Sequence, residues 1–210
     1  MKICCISDTH EMHRSIVVPK SDVLLHAGDL TFRGDPAKVV EFNQWCRQLL
    51  QQMLVREIIC IAGNHDFIFE DHPTKARSLL TAVTYLEDSE AVVAGIKCYG
   101  TPWQPWFFDW AFNLRTEKQL KAKFDRIPEG TQILICHSPP RGILDANTAG
   151  EHCGSAALLD AVYRVRPKLV VFGHIHEAYG MLVKDGMTFV NASTCTLDYK
   201  PVNPPIVVEL

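Results

Sequence analysis

The residues best suited to chemistry in this sequence are histidines, aspartates and one asparagine that follow short apolar runs. They fall in five segments: Asp8-Thr9-His10, Gly28-Asp29, Gly63-Asn64-His65-Asp66, His137 and Gly173-His174-Ile175-His176. Carboxylate and amide oxygens combined with imidazole nitrogens suit Mn, Fe or Zn and argue against a soft copper site. The sequence therefore predicts a metal site with mixed oxygen and nitrogen ligands.

Short apolar runs rich in Ile and Val precede these segments. Such runs are typical of strands that are buried on both faces of a sheet. They lie at residues 2–6, 23–26, 58–61, 133–136 and 169–172. Because sites in open α/β sheets form at the carboxyl ends of strands, we expect the residues that follow these runs to meet at one edge. Glycine precedes three of the candidate ligands, at positions 28, 63 and 173, where we expect the backbone to turn sharply.

The remaining elements are helices and hairpins. Apolar spacing predicts three helices, at residues 36–50, 116–124 and 154–165. Asp35 is a candidate N-cap for the first of them and Pro36 its first residue. The dipeptides Ala94-Gly95 and Asp185-Gly186 predict two hairpin turns. The pattern predicts a mixed sheet or two packed sheets covered by helices, in one domain over residues 1–210.

Composition narrows the classes of function. The formal net charge of −3 provides no overall basic field for nucleic acid or anionic lipid. No apolar run approaches the roughly 20 residues that span a membrane. The eight cysteines include no CxxC pair, and no secretory leader precedes them, so we expect a reduced, cytoplasmic protein without a thiolate zinc site.

The ordered set of candidate ligands resembles the calcineurin-like metallophosphoesterase superfamily. Further segments resemble its metallophosphoesterase-domain (MPPED) branch, whose members are described as cyclic-nucleotide phosphodiesterases. These segments include Thr101-Pro102-Trp103-Gln104-Pro105-Trp106, Asn191-Ala192-Ser193-Thr194-Cys195 and Asn203-Pro204-Pro205-Ile206. The resemblance covers nearly the whole chain. It implies an α/β fold, a four-layer α-β-β-α sandwich with two mixed β-sheets.

The resemblance also implies a role for each candidate ligand. One metal ion would be held by Asp8, His10, Asp29 and His176. A second ion would share Asp29 and be completed by Asn64, His137 and His174. His65 would bind no metal and would face the scissile phosphate. Some members of the branch lack a histidine at the position of His174, and because this sequence keeps it we expect two divalent ions, with Mn²⁺ favoured and Fe, Zn or Mg as alternatives.

These roles predict a metal-dependent phosphodiesterase that acts on small diesters, with cyclic nucleotides favoured. A hydroxide that bridges the two metals would attack the phosphate. His65 would stabilise the transition state or protonate the leaving oxygen, and Asp66 is a candidate to orient His65. The alternatives are a phosphomonoesterase or protein phosphatase, and a non-catalytic scaffold. We expect a small phosphodiester or nucleotide substrate, with no membrane or stable nucleic-acid partner, and the oligomeric state stays open.

Other residues are weaker candidates for substrate contact or for structure. Substrate contact is assigned to two arginines and two tryptophans: Arg33, Arg141, Trp103 and Trp106. Arginine suits bidentate contact with phosphate, and an aromatic ring can stack on a nucleobase, with surface and core positions as the respective alternatives. His26 is expected to be buried near the site without binding metal. The other histidines are expected to be solvated: His13, His72 and His152.

Overall fold

The computed structural model describes residues 1–210 and contains two large β-sheets. The strands of the first sheet are β1 Lys2–Ile6, β2 Val23–His26, β3 Glu57–Cys60, β4 Thr84–Tyr85 and β13 Ile206–Glu209. They are arranged in the order β13-β1-β2-β3-β4. The first four strands of the chain pair in parallel and β13 pairs antiparallel to β1, so this sheet is mixed.

The second sheet has six strands and is also mixed. They are β5 Ser89–Val93, β6 Ile96–Thr101, β9 Ile133–Cys136, β10 Leu169–Phe172, β11 Gly180–Lys184 and β12 Met187–Asn191, in the order β11-β12-β10-β9-β6-β5. The central pairs are parallel, whereas the two edge pairs are antiparallel hairpins. A separate two-stranded ribbon joins β7 Gln104–Pro105 to β8 Asn113–Leu114.

Five helices connect the strands. They are α1 Pro36–Gln51, α2 Phe67–Asp71, α3 Pro73–Leu79, α4 Glu117–Phe124 and α5 Ala156–Val165. The predicted cap of α1 is confirmed, because the Asp35 carboxylate accepts a hydrogen bond from the amide of Ala37 at 2.8 Å. The predicted third helix begins later than expected, since Ser155 provides the N-cap of α5. No helix has the length and apolar character needed to cross a membrane.

Three hydrophobic clusters define how these elements are layered. The middle cluster joins one face of each sheet, with Cys5 and Leu25 of the first packing in the same cluster as Ile135 and Val171 of the second. The opposite face of the first sheet packs against α1, α2 and α3. The opposite face of the second sheet packs against α4 and α5. The order is therefore helix, sheet, sheet, helix, which confirms the expected sandwich with two mixed sheets.

Details of the strands and turns follow the sequence pattern closely. The five predicted strands are present, and the side chains of their apolar runs are buried. Both hairpin turns have positive φ at their two central residues, as a type I′ turn requires. The values are 48° and 82° at Ala94 and Gly95, and 52° and 76° at Asp185 and Gly186. All eight cysteines are free, and all but Cys153 are buried.

Candidate metal centre

The five segments that contain the candidate ligands meet at the carboxyl ends of the parallel strands. Backbone hydrogen bonds hold the loops together, from the amide of Asp8 to the carbonyl of Gly28 at 2.9 Å and from the amide of His10 to the carbonyl of Asp29 at 3.0 Å. An isolated parallel β-bridge between Ser7 and Ser193 links the two sheets at this edge. The strand ends thus bring the polar segments into one place, as the sequence predicts.

The backbone at four candidate ligands lies in the left-handed region. The φ angles are 52° at Asp8, 40° at His10, 59° at Asp29 and 67° at His174. Residues with a Cβ rarely adopt this conformation, which costs of order 1 kcal/mol or more for each, and such strain is concentrated at functional sites. The surrounding hydrogen bonds therefore hold these side chains in directions that a relaxed loop would not favour.

The glycines that precede candidate ligands lie at the turns that the sequence suggests, and two of them serve a second purpose. Gly28 has a φ of 101°, which a glycine tolerates without strain. Gly63 and Gly173 do not have positive φ, but each begins a turn, with hydrogen bonds from the amide of Asp66 to the carbonyl of Gly63 at 3.1 Å and from the amide of Ile175 to the carbonyl of Gly173 at 2.8 Å. A Cβ at Gly63 would also collide with the carboxylate of Asp29, and one at Gly173 with that of Asp8. These two glycines allow the backbone to approach buried carboxylates closely.

The candidate metal ligands form two clusters, which we call the first and second donor groups because their atoms could donate lone pairs to a metal ion. The first donor group consists of Asp8, His10 and His176. The Nε2 atom of His176 lies 3.3 Å from Asp8 Oδ1 and 3.3 Å from His10 Nε2. The other ring nitrogen, His176 Nδ1, lies 3.0 Å from the carbonyl oxygen of Thr196, so we assign the proton to Nδ1. The lone pair of Nε2 then faces the carboxylate of Asp8, an arrangement that a cation between them would stabilise.

Asn64, His137 and His174 form the second donor group. Asn64 Oδ1 lies 2.9 Å from both His137 Nε2 and His174 Nδ1. His137 Nδ1 donates to the carbonyl of Ala27 at 2.9 Å, which leaves the lone pair on Nε2 pointing at the amide oxygen. Two acceptor atoms that face each other at this distance need a proton or a metal ion between them. The amide oxygen of Asn64 and the ring nitrogens of the two histidines are therefore suitable ligands for a divalent cation.

Asp29 lies between the two groups. Its Oδ2 is 3.7 Å from His10 Nε2, and its Oδ1 is 3.5 Å from His137 Nε2. The carboxylate is almost fully buried and also accepts a hydrogen bond from the amide of His65 at 2.9 Å. The two oxygens of one side chain therefore face different donor groups, as a carboxylate shared by two ions would.

The electrostatics of the centre favour bound positive charge. Burial lowers the pKa of His10 to about 4 and that of His174 to about 3. Burial also opposes protonation of His137, but the carboxylate of Asp29 outweighs it and raises the pKa of His137 to about 9. Burial alone would raise the pKa of Asp8 and that of Asp29, but the nearby histidines hold both pKa values below the usual range. The two carboxylates thus stay charged in a buried site, where they require cationic partners.

His65 adjoins both groups and lines the open cavity above them. Its Nδ1 lies 2.9 Å from the carbonyl oxygen of Phe32, and its Nε2 lies 3.9 Å from Asp29 Oδ2. The prediction that Asp66 orients His65 is wrong. The Asp66 carboxylate instead accepts hydrogen bonds from Leu30, Thr31 and Gly63, because it points back between the two loops and ties them together.

A tryptophan that the sequence did not single out packs against His65. The ring centroids of Trp110 and His65 are 4.1 Å apart, and the guanidinium of Arg33 lies 4.3 Å from the Trp110 centroid. Arg33 does not line the cavity, so its contact is with the ring rather than with the space above the donors. The density of aromatic residues near position 110 was the available signal, but it does not identify which ring contacts His65.

The cavity above the donors has a volume of about 440 Å³. Of the residues suggested for substrate contact, Trp106 lines it, whereas Arg33, Arg141 and Trp103 do not. Trp103 donates its indole N–H to Asp88 at 2.9 Å and packs against the cores, and Arg141 donates to the carbonyl of His152 at 3.2 Å. The sequence assigned no role to several other lining residues, among them Phe107, Glu177, Leu197 and Tyr199. Leu197 and Tyr199 belong to the irregular segment between β12 and β13, which carries no strand-end signal.

The remaining histidines divide between core and surface. His26 is buried beside the centre, 2.9 Å from the hydroxyl of Thr9, as expected. The expectation that His13 is solvated is wrong, because its ring is buried against Phe42 and Trp45 and neither nitrogen has a partner. The other two are exposed, as predicted: His72 and His152.

Comparison with known proteins identifies the family. The family model for the calcineurin-like phosphoesterase matches residues 1–178. Metallophosphoesterase domain-containing protein 1 of Homo sapiens is 43% identical over 234 residues, which cover all of this chain and 71% of that protein. The UPF0046 protein T07D4.2 of Caenorhabditis elegans is 36% identical over 241 residues, which cover all of this chain and 60% of that protein.

Solved structures share the fold at low sequence identity. TT1561 of Thermus thermophilus superposes with a TM-score of 0.62 at 13% identity, covering 90% of this chain and 88% of that chain. A structure described as a novel archaeal phosphodiesterase superposes with a TM-score of 0.53 at 16% identity, covering 100% of this chain and 93% of that chain. Together with the clustered aspartates and histidines, the family match establishes that the chain belongs to the calcineurin-like phosphoesterase family and is a metal-dependent phosphoesterase.

Proposed function

We propose that the chain is a dinuclear phosphodiesterase that hydrolyses small phosphodiesters, with cyclic nucleotides as the favoured substrates. The position of Asp29 carries the proposal, because its two oxygens face separate donor groups across 3.7 Å and 3.5 Å. A single ion would use only one of these groups. A bridging carboxylate allows two ions to lie close together and partly neutralises their charge.

The assignment of donors follows the two groups. The first ion would be held by Asp8, His10, Asp29 and His176, and the second by Asp29, Asn64, His137 and His174. Bound divalent ions neutralise the phosphoryl charge, orient the ester and make water a nucleophile near neutral pH. The mixture of carboxylate, amide and imidazole donors favours Mn²⁺, with Fe, Zn or Mg as alternatives. The free and mostly buried cysteines support a reduced, cytoplasmic setting.

His65 is the proposed catalytic residue. Its bond to the Phe32 carbonyl fixes the ring, so that Nε2 faces the cavity side of Asp29. When protonated there, Nε2 can donate to a phosphoryl oxygen or to the leaving oxygen. General acid catalysis of this kind contributes about 10²–10⁴-fold to the rate.

The charges around the cavity favour a diester over a monoester. No lysine or arginine lines the cavity, whereas the exposed carboxylate of Glu177 does. A monoester carries an additional negative charge at neutral pH, for which the cavity offers no lysine or arginine. A diester carries a single charge, and a phosphomonoesterase is therefore the second candidate.

The test is hydrolysis of bis(4-nitrophenyl) phosphate by the protein reconstituted with Mn²⁺. We expect turnover by the wild type and a loss of at least about 10²-fold in Asp29→Ala and in His65→Ala. His72→Ala is the matched control, because this histidine is exposed and outside the cavity. Unchanged activity in either Asp29→Ala or His65→Ala would overturn the assignment.

A further inference from the structure

Two apolar segments line the cavity beside different parts of the donor cluster. Trp106 and Phe107 belong to the loop between β7 and β8, and Leu197 and Tyr199 to the segment between β12 and β13. The ring centroid of Phe107 is 6.1 Å from that of His174, whereas the ring centroid of Tyr199 is 4.9 Å from that of His10. The apolar surface thus extends from the second donor group to the first.

These four apolar side chains are exposed to solvent and do not belong to the buried core. The exposed fractions are 48% for Trp106, 49% for Phe107, 55% for Leu197 and 38% for Tyr199. Scattered exposed hydrophobic residues are ordinary, but a contiguous group around a concave site indicates a binding surface.

Both segments are held in place by specific contacts. The side-chain amide of Asn113 donates to the carbonyl oxygens of Phe107 and Phe108 at 3.0 and 2.9 Å, and the guanidinium of Arg115 lies 5.3 Å from the ring centroid of Trp106. Tyr199 has a φ of 56°, a left-handed conformation that is costly for a bulky residue and that directs its ring onto the donor cluster. The surface is therefore preorganised, which reduces the entropy lost on binding.

The charge of the cavity limits what this surface can accept. Besides the histidines, no cationic side chain lines the cavity, and Glu177 is fixed at its rim by a hydrogen bond from the amide of Thr148 at 2.9 Å. A second phosphate group would therefore find no lysine or arginine to pair with. The volume of about 440 Å³ lies within the range of roughly 300–1,000 Å³ that is usual for small-molecule sites.

We propose that Trp106, Phe107, Leu197 and Tyr199 bind a planar aromatic substituent, of the size of a nucleobase, on a substrate that carries one phosphoryl group. The proposal rests on the proposed function only for the position of that phosphoryl group over the donor cluster. Aromatic stacking is worth about 1–3 kcal/mol for each base and tolerates different bases. This surface therefore selects for an aromatic ring and not for a particular pattern of hydrogen-bond donors and acceptors on it.

The test compares two ligands that differ only in the base, adenosine 5′-monophosphate and ribose 5-phosphate. Their affinities for the Mn²⁺-loaded protein are measured by titration calorimetry. We expect the nucleotide to bind about tenfold more tightly or better, and Trp106→Ala and Leu197→Ala to remove most of that ratio. Val202→Ala is the matched control, since Val202 is an exposed residue of the segment that contains Leu197 and does not line the cavity. Adenosine 5′-diphosphate should bind no more tightly than the monophosphate.

Equal affinities for the two ligands, absence of binding by both, or a ratio that survives Trp106→Ala and Leu197→Ala would overturn the proposal. Tighter binding of the diphosphate would contradict the limit to one phosphoryl group. Binding that depends on the base in a protein that hydrolyses no diester would refute the proposed function and leave this surface as assigned.

Discussion

The indole ring of Trp110 packs on the imidazole of His65, with their centroids 4.1 Å apart and their planes inclined by 35°. The imidazole is also in edge contact with His10, at 4.6 Å between centroids, and is hydrogen bonded to the carbonyl of Phe32. Three contacts thus fix the ring of the proposed catalytic residue. Trp110 contacts neither donor group through a polar atom, so we regard it as a positioning residue.

Trp110→Ala should therefore lower kcat with little change in KM. A displacement of the order of 1 Å can cost about 10²-fold in rate, so we expect a loss of roughly 10- to 100-fold. Trp110→Phe keeps a ring over His65 and should restore most of the activity. Steady-state kinetics on bis(4-nitrophenyl) phosphate measure both constants, and a rise in KM with unchanged kcat would show that Trp110 binds substrate instead.

Gly63→Ala should abolish metal binding, because the new Cβ would collide with the Asp29 carboxylate and lie 2.6 Å from His137. Metal content after reconstitution and gel filtration measures the effect. Gly150→Ala is the control. It has open space around it but a φ of 78°, so it should lose about 1 kcal/mol of stability and keep its metal. Full metal content in Gly63→Ala would contradict the close approach described above.

Asp66→Asn should destabilise the fold. The carboxylate accepts hydrogen bonds from the amides of Leu30, Thr31 and Gly63 at 2.9–3.1 Å and from the Thr31 hydroxyl at 2.8 Å. An asparagine would turn an NH₂ group toward donors that need an acceptor, and we expect a loss of roughly 2–4 kcal/mol. Urea unfolding measures it, with the exposed Asp71→Asn as the control. A loss similar to that of the control would show that other groups hold the two loops together.

His13 should make the protein less stable in mild acid. Burial against Phe42 and Trp45 lowers its pKa to about 4, with smaller effects from the charges of Arg14, Glu41 and Lys38. The unfolded chain binds a proton near pH 6.5 and the folded chain does not, so stability falls as pH drops from about 6.5 to about 4, by at most about 3 kcal/mol. Above pH 6.5 the residue contributes nothing to this dependence.

His13→Leu removes the titrating group and should weaken the dependence of stability on pH. Urea unfolding at pH 7 and pH 5 measures the difference between variant and wild type, so that the titration of other groups cancels. His72→Leu, at an exposed histidine, should keep the slope of the wild type. Identical slopes in His13→Leu and the wild type would show that His13 is protonated in the folded state.

The sequence predicts the fold well because its signals are local. Apolar runs define the strands, Asp35 caps α1, and the Asp185-Gly186 turn defines a hairpin. The candidate ligands follow from their positions at strand ends. The close approach of the backbone to the Asp29 carboxylate could not be predicted in this way. The role of Gly63 depends on where that carboxylate lies in space.

The residues around the donors could not be predicted in the same way. Leu197 and Tyr199 reach the cavity because the segment after β12 folds back over the centre, and no periodicity marks that segment. Asp66 follows His65 in sequence but points away from it, since its carboxylate satisfies amides of another loop. His13 is buried because α1 packs on the turn that contains it, a contact between distant parts of the chain.

The most direct test of the central claim is an activity screen of the Mn²⁺-reconstituted protein against cyclic nucleotides, linear diesters and monoesters. We predict hydrolysis of diesters, with cyclic nucleotides among the best substrates, and loss of that activity both in Asp29→Ala and after removal of the metal. Activity confined to monoesters would contradict the proposed phosphodiesterase. Hydrolysis of diesters that persists in Asp29→Ala would contradict the metal centre itself.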